Sequence, residues 1–165
     1  MPESATGHAS HSNAVEIYIA IEGTKMGKFK GESTAKPFSG QSRVLKFSYG
    51  VVSPHDVYTG LVSGKRQHNP IVITKEPGAA SPQFFSSLVT NEALKSVVIQ
   101  FLRPNAEGVN EVQQTISLTN GSISDFRQYV GDDGRWLEDV AFSFQKIEIV
   151  NKPGATAADD SYQQT

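Results

Sequence analysis

The feature that most constrains the fold is a strictly alternating segment, VEIYIAIEG, at residues 15–23. Its apolar face consists of Val15, Ile17, Ile19 and Ile21, and the opposite face carries Glu16, Tyr18, Ala20 and Glu22. Because successive side chains of a strand point to opposite faces, this period of two predicts a half-buried β-strand that ends at Gly23. Such a strand needs partner strands, so the rest of the chain has to supply a sheet.

Five further segments have the composition of strands. They are 43–50 (RVLKFSYG), 71–74 (IVIT), 95–103 (KSVVIQFLR), 113–123 (QQTISLTNGSI) and 139–150 (DVAFSFQKIEIV). The last of these is apolar on both faces, which is expected of a strand that is covered on both sides. The connection GDDGRW at 131–136 is interpreted as a turn between strands, since it lacks the ordered oxygen ligands of a calcium loop.

One helix is predicted, in SPQFFSSLVTNE at residues 81–92. Ser81 suits the N-cap and Pro82 suits the first helical position. The apolar stripe of this helix would consist of Phe84, Phe85, Leu88 and Val89. Six or more strands, one helix and no alternating strand–helix pattern indicate a mainly β fold. We expect a small antiparallel β-barrel or two-sheet fold with one short flanking α-helix.

The domain boundaries follow from composition. Residues 1–13 are small and polar, which predicts a flexible N-terminal tail. Residues 14–151 form one β-barrel domain, and residues 152–165 are predicted to be a flexible C-terminal tail. The N-terminus has neither a cationic start nor an apolar centre, and no run reaches the ~18 apolar residues of a membrane span. We therefore expect a cytoplasmic product without stable membrane insertion, whose export would not use a cleaved signal peptide.

Residue patterns typical of catalysis or metal binding are weak. The chain has no cysteine, which excludes disulfides and thiol chemistry. His8 and His11 lie in the polar N-terminal segment without a matching acid. The sequence contains neither a G-x-S-x-G turn nor a phosphate-binding glycine loop followed by Lys and Ser or Thr. We therefore predict that the protein is not an enzyme and uses no cofactor or metal.

The stretch SGKRQHNP, at residues 63–70, leaves two interpretations open. Lys65, Arg66 and His68 could form a phosphate-binding patch together with the basic segment 25–46, or they could simply lead into the strand that starts at Ile71. Aromatic residues are not interleaved with these charges, and the pI is about 6.1, so nucleic-acid binding is the weaker interpretation.

Charge is distributed unevenly along the chain. Residues 1–76 contain nine Lys and Arg against six Asp and Glu, whereas residues 77–165 contain six against eleven. This asymmetry is compatible with two ordinary solvated surfaces. It is also compatible with a positive and a negative end, which would suit head-to-tail self-association.

The stretch at 64–76, GKRQHNPIVITKE, resembles the signature of the haemolysin-coregulated protein (Hcp) family. The residues that carry the similarity are Gly64, Lys65, Arg66, His68, Pro70 and Lys75. Further similarities occur at IYIAIEG (17–23), GEST (31–34), LKFSYG (45–50), SPQFF (81–85) and LEDVAFSFQKIE (137–148). At Tyr49 the family usually has tryptophan. These motifs follow the family order across residues 15–150.

The resemblance implies a structural, secreted protein of the type VI secretion system. Its subunits would form a ring-shaped homohexamer with a central channel, and the rings would stack into a tube. A contractile sheath would expel this tube behind a trimeric spike protein, with small effector cargo inside the channel. The alternative, from a different class, is a monomeric β-barrel that binds a small ligand or carbohydrate.

The resemblance also assigns roles to particular residues. Ser48 would face the channel and contact cargo, and Lys46 would share its face because the side-chain period is two. An ordinary outward-facing strand serine is the alternative for Ser48. Residues 50–64 would form an extended loop that reaches a neighbouring subunit or ring. The basic stretch at 65–68 would then lead into a core strand and would bind no nucleic acid.

Overall fold

The computed structural model describes residues 14–162. Its strands are β1 (Glu16–Gly23), β2 (Gly27–Lys28), β3 (Ser42–Val44), β4 (Lys46–Ser48), β5 (Val51–Val52), β6 (Gln67–His68), β7 (Ile71–Lys75), β8 (Leu94–Pro104), β9 (Asn110–Thr119), β10 (Ser122–Val130), β11 (Trp136–Ser143), β12 (Lys146–Asn151) and β13 (Thr156–Ser161). The helix α1 (Ser81–Val89) lies between β7 and β8. Residues 1–13, where a flexible N-terminal tail is predicted, lie outside the described residues.

The strands form two main antiparallel sheets. The first has the order β13-β12-β9-β8-β1-β2, with β3 also paired to β1, and the second has the order β10-β11-β7-β4. The pair β5-β6 forms a separate two-stranded ribbon. The prediction of a mainly β, antiparallel fold with one short helix is confirmed.

The core lies between the two sheets and is closed on one side by the helix. In the first sheet, Ile19 is opposite Ile99, which is opposite Ile116 on the next strand. All three are at most 2% exposed, and cross-strand pairs of β-branched residues stabilise a sheet. The second sheet contributes Ile73 and Phe142, and the helix contributes Phe84; all three are fully buried. Deletion of any one of these side chains would leave a cavity.

Three predicted strands turn out to be two strands each. The segment 43–50 divides at Leu45: β3 pairs with β1 in the first sheet, whereas β4 pairs with β7 in the second. The segment 139–150 divides at residues 144–145 into β11 and β12, again in different sheets. A strand that changes sheets presents first one face and then the other to the core, which explains why this segment is apolar on both faces. The segment 113–123 turns at Asn120, which has a positive φ of 50°.

The helix differs from the prediction at its start and along its apolar stripe. The N-cap is Ala80, and Ser81 is already helical. Phe84 is fully buried, but Phe85 and Val89 are 55% and 59% exposed. Only one side of the predicted stripe therefore faces the core, and the other side remains uncovered in the isolated subunit.

The fold also continues beyond the predicted domain end at residue 151. Residues 156–161 form β13, which pairs with β12 along its full length. Small and acidic residues dominate this strand (TAADDS), so it has no hydrophobic pattern by which the sequence could reveal it. It is held by backbone pairing with β12 and by the ion pairs of Asp159 and Asp160. Residues 163–165 lie outside the described residues.

Candidate assembly surfaces

The family-motif residues divide between two separate clusters of charged side chains. Arg66 and His68 lie at the surface beside β13, whereas Lys75 is completely buried at the end of β7. Gly64 lies in the preceding loop, where a side chain would meet the ring of Pro54 at 3.6 Å. Lys65 is exposed and Pro70 is also exposed. The basic stretch therefore leads into the core strand β7, and Arg66 attaches it to β13 through Asp160.

The surface group, here called the Asp160 cluster, consists of Tyr49, Arg66, His68 and Asp160. Arg66 donates from Nε to Asp160 and from Nη2 to its Oδ1 at 2.6 Å. The Nε2 atom of His68 lies 2.6 Å from Asp160 Oδ2, and its Nδ1 atom lies 2.7 Å from the Tyr49 hydroxyl. The hydrogen bonds from Arg66 and then His68 hold the pKa of Asp160 well below its usual range.

Aromatic rings enclose the imidazole of this cluster. His68 is stacked with Tyr49 and packs edge-on against Phe144 and Tyr162, with centroid separations of 5.2–6.2 Å among the rings involved. Its side chain is only 6% exposed. Burial, followed by the charges of Tyr162 and Asp160, raises the pKa of Tyr49. The cluster is therefore shielded on the imidazole side and open on the Arg66 side.

The buried group, here called the Lys75 cluster, consists of Lys75, Ser81, Gln128 and Glu138. Lys75 Nζ lies 3.1 Å from Glu138 Oε1, and both side chains have zero exposure. Ser81 donates to the same oxygen at 2.9 Å, and Gln128 Nε2 donates to Oε2 at 3.0 Å. A buried ion pair is tolerated only when further hydrogen bonds compensate for its desolvation. This cluster fixes the start of the helix to the second sheet.

Lys46 and Ser48 both lie on β4, at an edge of the second sheet. Their side chains are exposed, whereas Phe47 between them is partly buried and packs against Phe101 with a centroid separation of 4.9 Å. The two candidate channel residues thus share a solvent-facing side of the strand. Their role in a channel stays a prediction.

Residues 51–64, here called the exposed loop, carry apolar side chains that have no core to enter. Val57 and Tyr58 are 90% and 95% exposed, and Leu61 and Val62 are more than 60% exposed. The tip is nevertheless ordered by hydrogen bonds, because Asp56 accepts from the backbone N–H groups of Tyr58 and Thr59. A structured loop with a contiguous apolar tip is typical of a protein interaction site.

A second apolar surface lies beside the helix. Phe85, Val89 and Trp136 are each more than half exposed. A shallow cleft beside them is lined by Pro77, Gly78, Ser81, Pro82, Phe85, Phe126, Gln128 and Trp136. The predicted helical stripe included Phe85 and Val89. The position of Trp136 beside them could not be predicted, because it depends on where the tertiary structure places β11. The subunit therefore has two chemically similar apolar surfaces on different elements.

The segment 125–160 contains eight Asp and Glu against four Lys and Arg, and several of these acids are paired within the subunit. Glu138, Asp159 and Asp160 pair with Lys75, Lys146 and Arg66, respectively. Glu32, in the basic segment, also approaches Lys75 at 4.0 Å. Acidic side chains from both charge-rich segments, Glu32 and Glu138, therefore lie near Lys75.

Between residues 14 and 162, no three His, Asp or Glu side chains come together in a way that could hold a metal ion. Across the same residues, the structure contains no helix with the length and hydropathy to cross a bilayer.

Two packed antiparallel sheets, a flanking helix and an exposed apolar loop define a mainly β protein with surfaces suited to contacts between proteins. The family described as "Type VI secretion system effector, Hcp" matches residues 18–150. The chain is 32% identical over 166 residues to the "Major exported protein" of Pseudomonas aeruginosa, covering 91% of this chain and 96% of that protein. The chain belongs to the Hcp family and is a secreted component of the type VI secretion system.

Solved structures show the same fold. The secreted protein Hcp3 from Pseudomonas aeruginosa has a TM-score of 0.78 and 29% identity, with 92% of this chain and 100% of that chain covered. The Hcp1 protein from E. coli EAEC 042 has a TM-score of 0.82 and 23% identity, with 90% and 99% covered. The resemblance deduced from the motifs is confirmed.

Proposed function

We propose that this chain is the ring-forming subunit of a type VI secretion tube. Six copies would close around a central channel, and the rings would stack into a tube that a contractile sheath expels behind a trimeric spike. The observation that carries this proposal is the exposed loop, whose ordered tip presents Tyr58 at 95% exposure. Such a surface is costly for a monomer to leave in water and is explained if a neighbouring copy covers it.

The two apolar surfaces support a head-to-tail contact. A ring requires two different patches on each subunit, because each copy contacts one neighbour with one patch and the next neighbour with the other. The exposed loop and the Phe85–Trp136 surface lie on different elements and are both apolar. Contacts of this kind gain stability from buried apolar area, so ring closure is expected to resist salt.

Stacking of rings is a separate contact with a different salt dependence. It would use the smaller exposed loops, including the basic segment 25–46. Exposed ion pairs contribute roughly 0–1 kcal/mol each and are screened over about 8 Å at physiological ionic strength. Stacks are therefore expected to shorten as salt rises, while rings persist.

Particle size across a salt series tests this proposal. Light scattering and negative-stain microscopy should show particles near six times the 17.9 kDa of one chain, with a central hole at high salt and stacks at low salt. Rings that dissociate before their stacks do would reverse the assignment of contacts. A monomer under every condition would exclude the tube and favour the ligand-binding barrel.

Ser48 and Lys46 are proposed to lie on the channel wall, where Ser48 contacts cargo. Both are exposed on one face of an edge strand, which supports this placement. Replacement of Ser48 by Glu should leave the hexamer intact and reduce retention of a small co-expressed effector. Loss of the hexamer instead would place Ser48 in a packed interface and contradict the channel role.

The proposed role does not include nucleic acid. Arg66, the central cation of the basic stretch, is already paired with Asp160, which leaves less positive charge for phosphate. We expect no micromolar binding to random DNA or RNA. Binding with a steep salt dependence, the mark of phosphate contacts, would contradict this expectation. The chain is also proposed to be made in the cytoplasm and exported without a cleaved signal peptide.

A further inference from the structure

The exposed loop is held at its base by side chains from three parts of the chain. Tyr49 lies two residues before the loop, and Arg66 and His68 lie two and four residues after it. Asp160, which lies 94 positions after Arg66, joins them from β13. The C-terminal strand thus closes the base of a loop that belongs to the first half of the sequence.

Backbone pairing at this base is short. The ribbon consists of two residue pairs, Val51 with His68 and Val52 with Gln67. One isolated bridge joins His55 to Val62, and single backbone bonds run from Asn69 N–H to the Gly50 carbonyl and from Ser63 N–H to the Pro54 carbonyl, each at 2.9 Å. A lone two-stranded hairpin is only marginally stable in water. The side-chain contacts of the Asp160 cluster reinforce this short backbone pairing, and Arg66 adds a bond to the Ser161 carbonyl at 3.2 Å.

We propose that Asp160 is a latch, meaning a residue that fixes the orientation of the exposed loop so that it is prepared for contact with the next subunit. Through this latch the C-terminal strand would control ring assembly, and acid would release it. The control of assembly rests on the proposed function, whereas the fixing of the loop does not. A loop that is already ordered loses less conformational entropy when it docks, so release of the latch should weaken ring formation.

The hydrogen-bond chemistry defines the latched state. A carboxylate only accepts hydrogen bonds, so in the neutral ring His68 Nε2–H donates to Asp160, and Nδ1 accepts from the Tyr49 hydroxyl. Arg66 and His68 bond directly to Asp160, and behind them Tyr49 bonds to His68 while Tyr162 packs against its ring. On the same strand Asp159 pairs with Lys146. Protonation of Asp160 would neutralise its carboxylate and weaken its hydrogen bonds with Arg66 and His68.

Asp160→Asn in the full chain tests the latch, with Asp159→Asn as the matched control. Asp159 is the neighbouring residue on β13 and has its own ion pair at 3.2 Å with Lys146, but it makes no contact with the loop base among the described bonds. Two quantities would be measured for both variants. They are the hydrogen-exchange rate of the loop amides and the protein concentration at which ring assembly is half-maximal. For Asp160→Asn we expect both quantities to rise by roughly tenfold or more, the change that loss of one charge-assisted bond produces. For Asp159→Asn both should stay within about twofold.

The exchange measurement separates failure of the latch from failure of the proposed function. If the wild-type chain forms no rings, the proposed function fails, and loop exchange still decides whether the latch exists. Unchanged exchange in Asp160→Asn overturns the latch, and faster exchange with unchanged assembly overturns its control of assembly. If Asp160→Asn does not fold, Tyr49→Phe removes a single hydroxyl from the same cluster. It should accelerate loop exchange in the same direction by a smaller factor, and the absence of any change would overturn the proposal.

Discussion

The Lys75 cluster and the Asp160 cluster each contain a cation from the same sequence motif, Lys75 or Arg66. One cluster is buried and the other lies at the surface. Lys75 and Glu138 are both fully buried, whereas Arg66 and Asp160 keep 44% and 28% of their side-chain exposure. In the buried cluster an unpaired charge has no access to water, so each partner depends on the others. In the surface cluster water can replace a lost partner. The first cluster is therefore expected to determine stability, and the second is expected to adjust the position of a loop.

The largest effect is expected from Glu138→Ala. This change removes the nearest counter-charge of the buried Lys75 ammonium and leaves only Glu32, at 4.0 Å; breaking a buried ion pair in this way typically costs about 3–5 kcal/mol. For a chain of this size the midpoint of thermal unfolding should fall by roughly 6–20 °C. Urea and thermal unfolding at fixed protein concentration would measure the loss. The control Glu107→Ala removes an exposed carboxylate and should stay within about 0.5 kcal/mol of wild type.

A double replacement would sharpen the interpretation of the buried cluster. Lys75→Met combined with Glu138→Leu removes both charges and keeps most of the buried volume. Since replacement of a whole buried ion pair by apolar residues is often close to neutral, we expect the double variant to be more stable than Glu138→Ala. A double variant that is less stable than the single one would show that packing, rather than the uncompensated charge, causes the loss.

Ser81→Ala should have an intermediate effect. The Ser81 hydroxyl donates to Glu138 and accepts from the backbone N–H of Gly78. Its removal leaves that amide without a bond near the helix start, which costs about 1–3 kcal/mol. Chemical unfolding would measure the change. Ser86→Ala, at a half-buried position of the same helix outside the Lys75 cluster, provides a control that should be nearly neutral.

The surface cluster should respond to acid. Hydrogen bonds from Arg66 and His68 lower the pKa of Asp160 in the folded state, so its contribution to stability is complete above the ordinary pKa of about 3.9. It is lost as the pH falls below that value towards the lower folded-state pKa. The difference in unfolding free energy between wild type and Asp160→Asn should therefore be constant near neutral pH and shrink below about pH 4. A difference that does not depend on pH would show that the carboxylate charge is unimportant.

The smallest effect on subunit stability is expected at the loop tip. Tyr58 is 95% exposed, so Tyr58→Ser should change the stability of the isolated subunit by no more than about 0.5 kcal/mol. The same variant should weaken ring formation measurably, because the proposed neighbour contact loses its largest apolar side chain. Sedimentation of the variant against protein concentration would measure assembly, and urea unfolding of the dissociated subunit would measure stability. Normal assembly would remove the exposed loop from the ring contact.

Several elements could be predicted from local patterns because their physical signals are local. The alternation of Ile17, Ile19 and Ile21 indicates the strand and its buried face, and all three are in the core. Pro82 and Phe84 indicate the helix and its buried side. By contrast, Leu45 lies within a uniform strand-like pattern, and nothing near it shows that the chain changes sheets there.

For the two charged clusters, too, the sequence predicts the motif residues but not their partners or their burial. The motif around Arg66 and Lys75 identifies both residues, but it does not show that one is paired at the surface and the other is fully buried. Their partners, Asp160 and Glu138, are 94 and 63 positions away. Ion pairing at such distances depends on which strands lie side by side, and no local spacing encodes that information.

By itself, the sequence determined the strand periodicity, the single helix, the mainly β class and the family. These properties depend on side-chain spacing within a few residues, where backbone geometry is fixed by local physics. Tertiary structure alone decided where strands cross between sheets, that the acidic C-terminal segment forms β13, and that Asp160 closes the base of the exposed loop. The reason is that backbone pairing and ion pairs act on whatever residues the fold brings within a few ångströms, regardless of their distance along the chain.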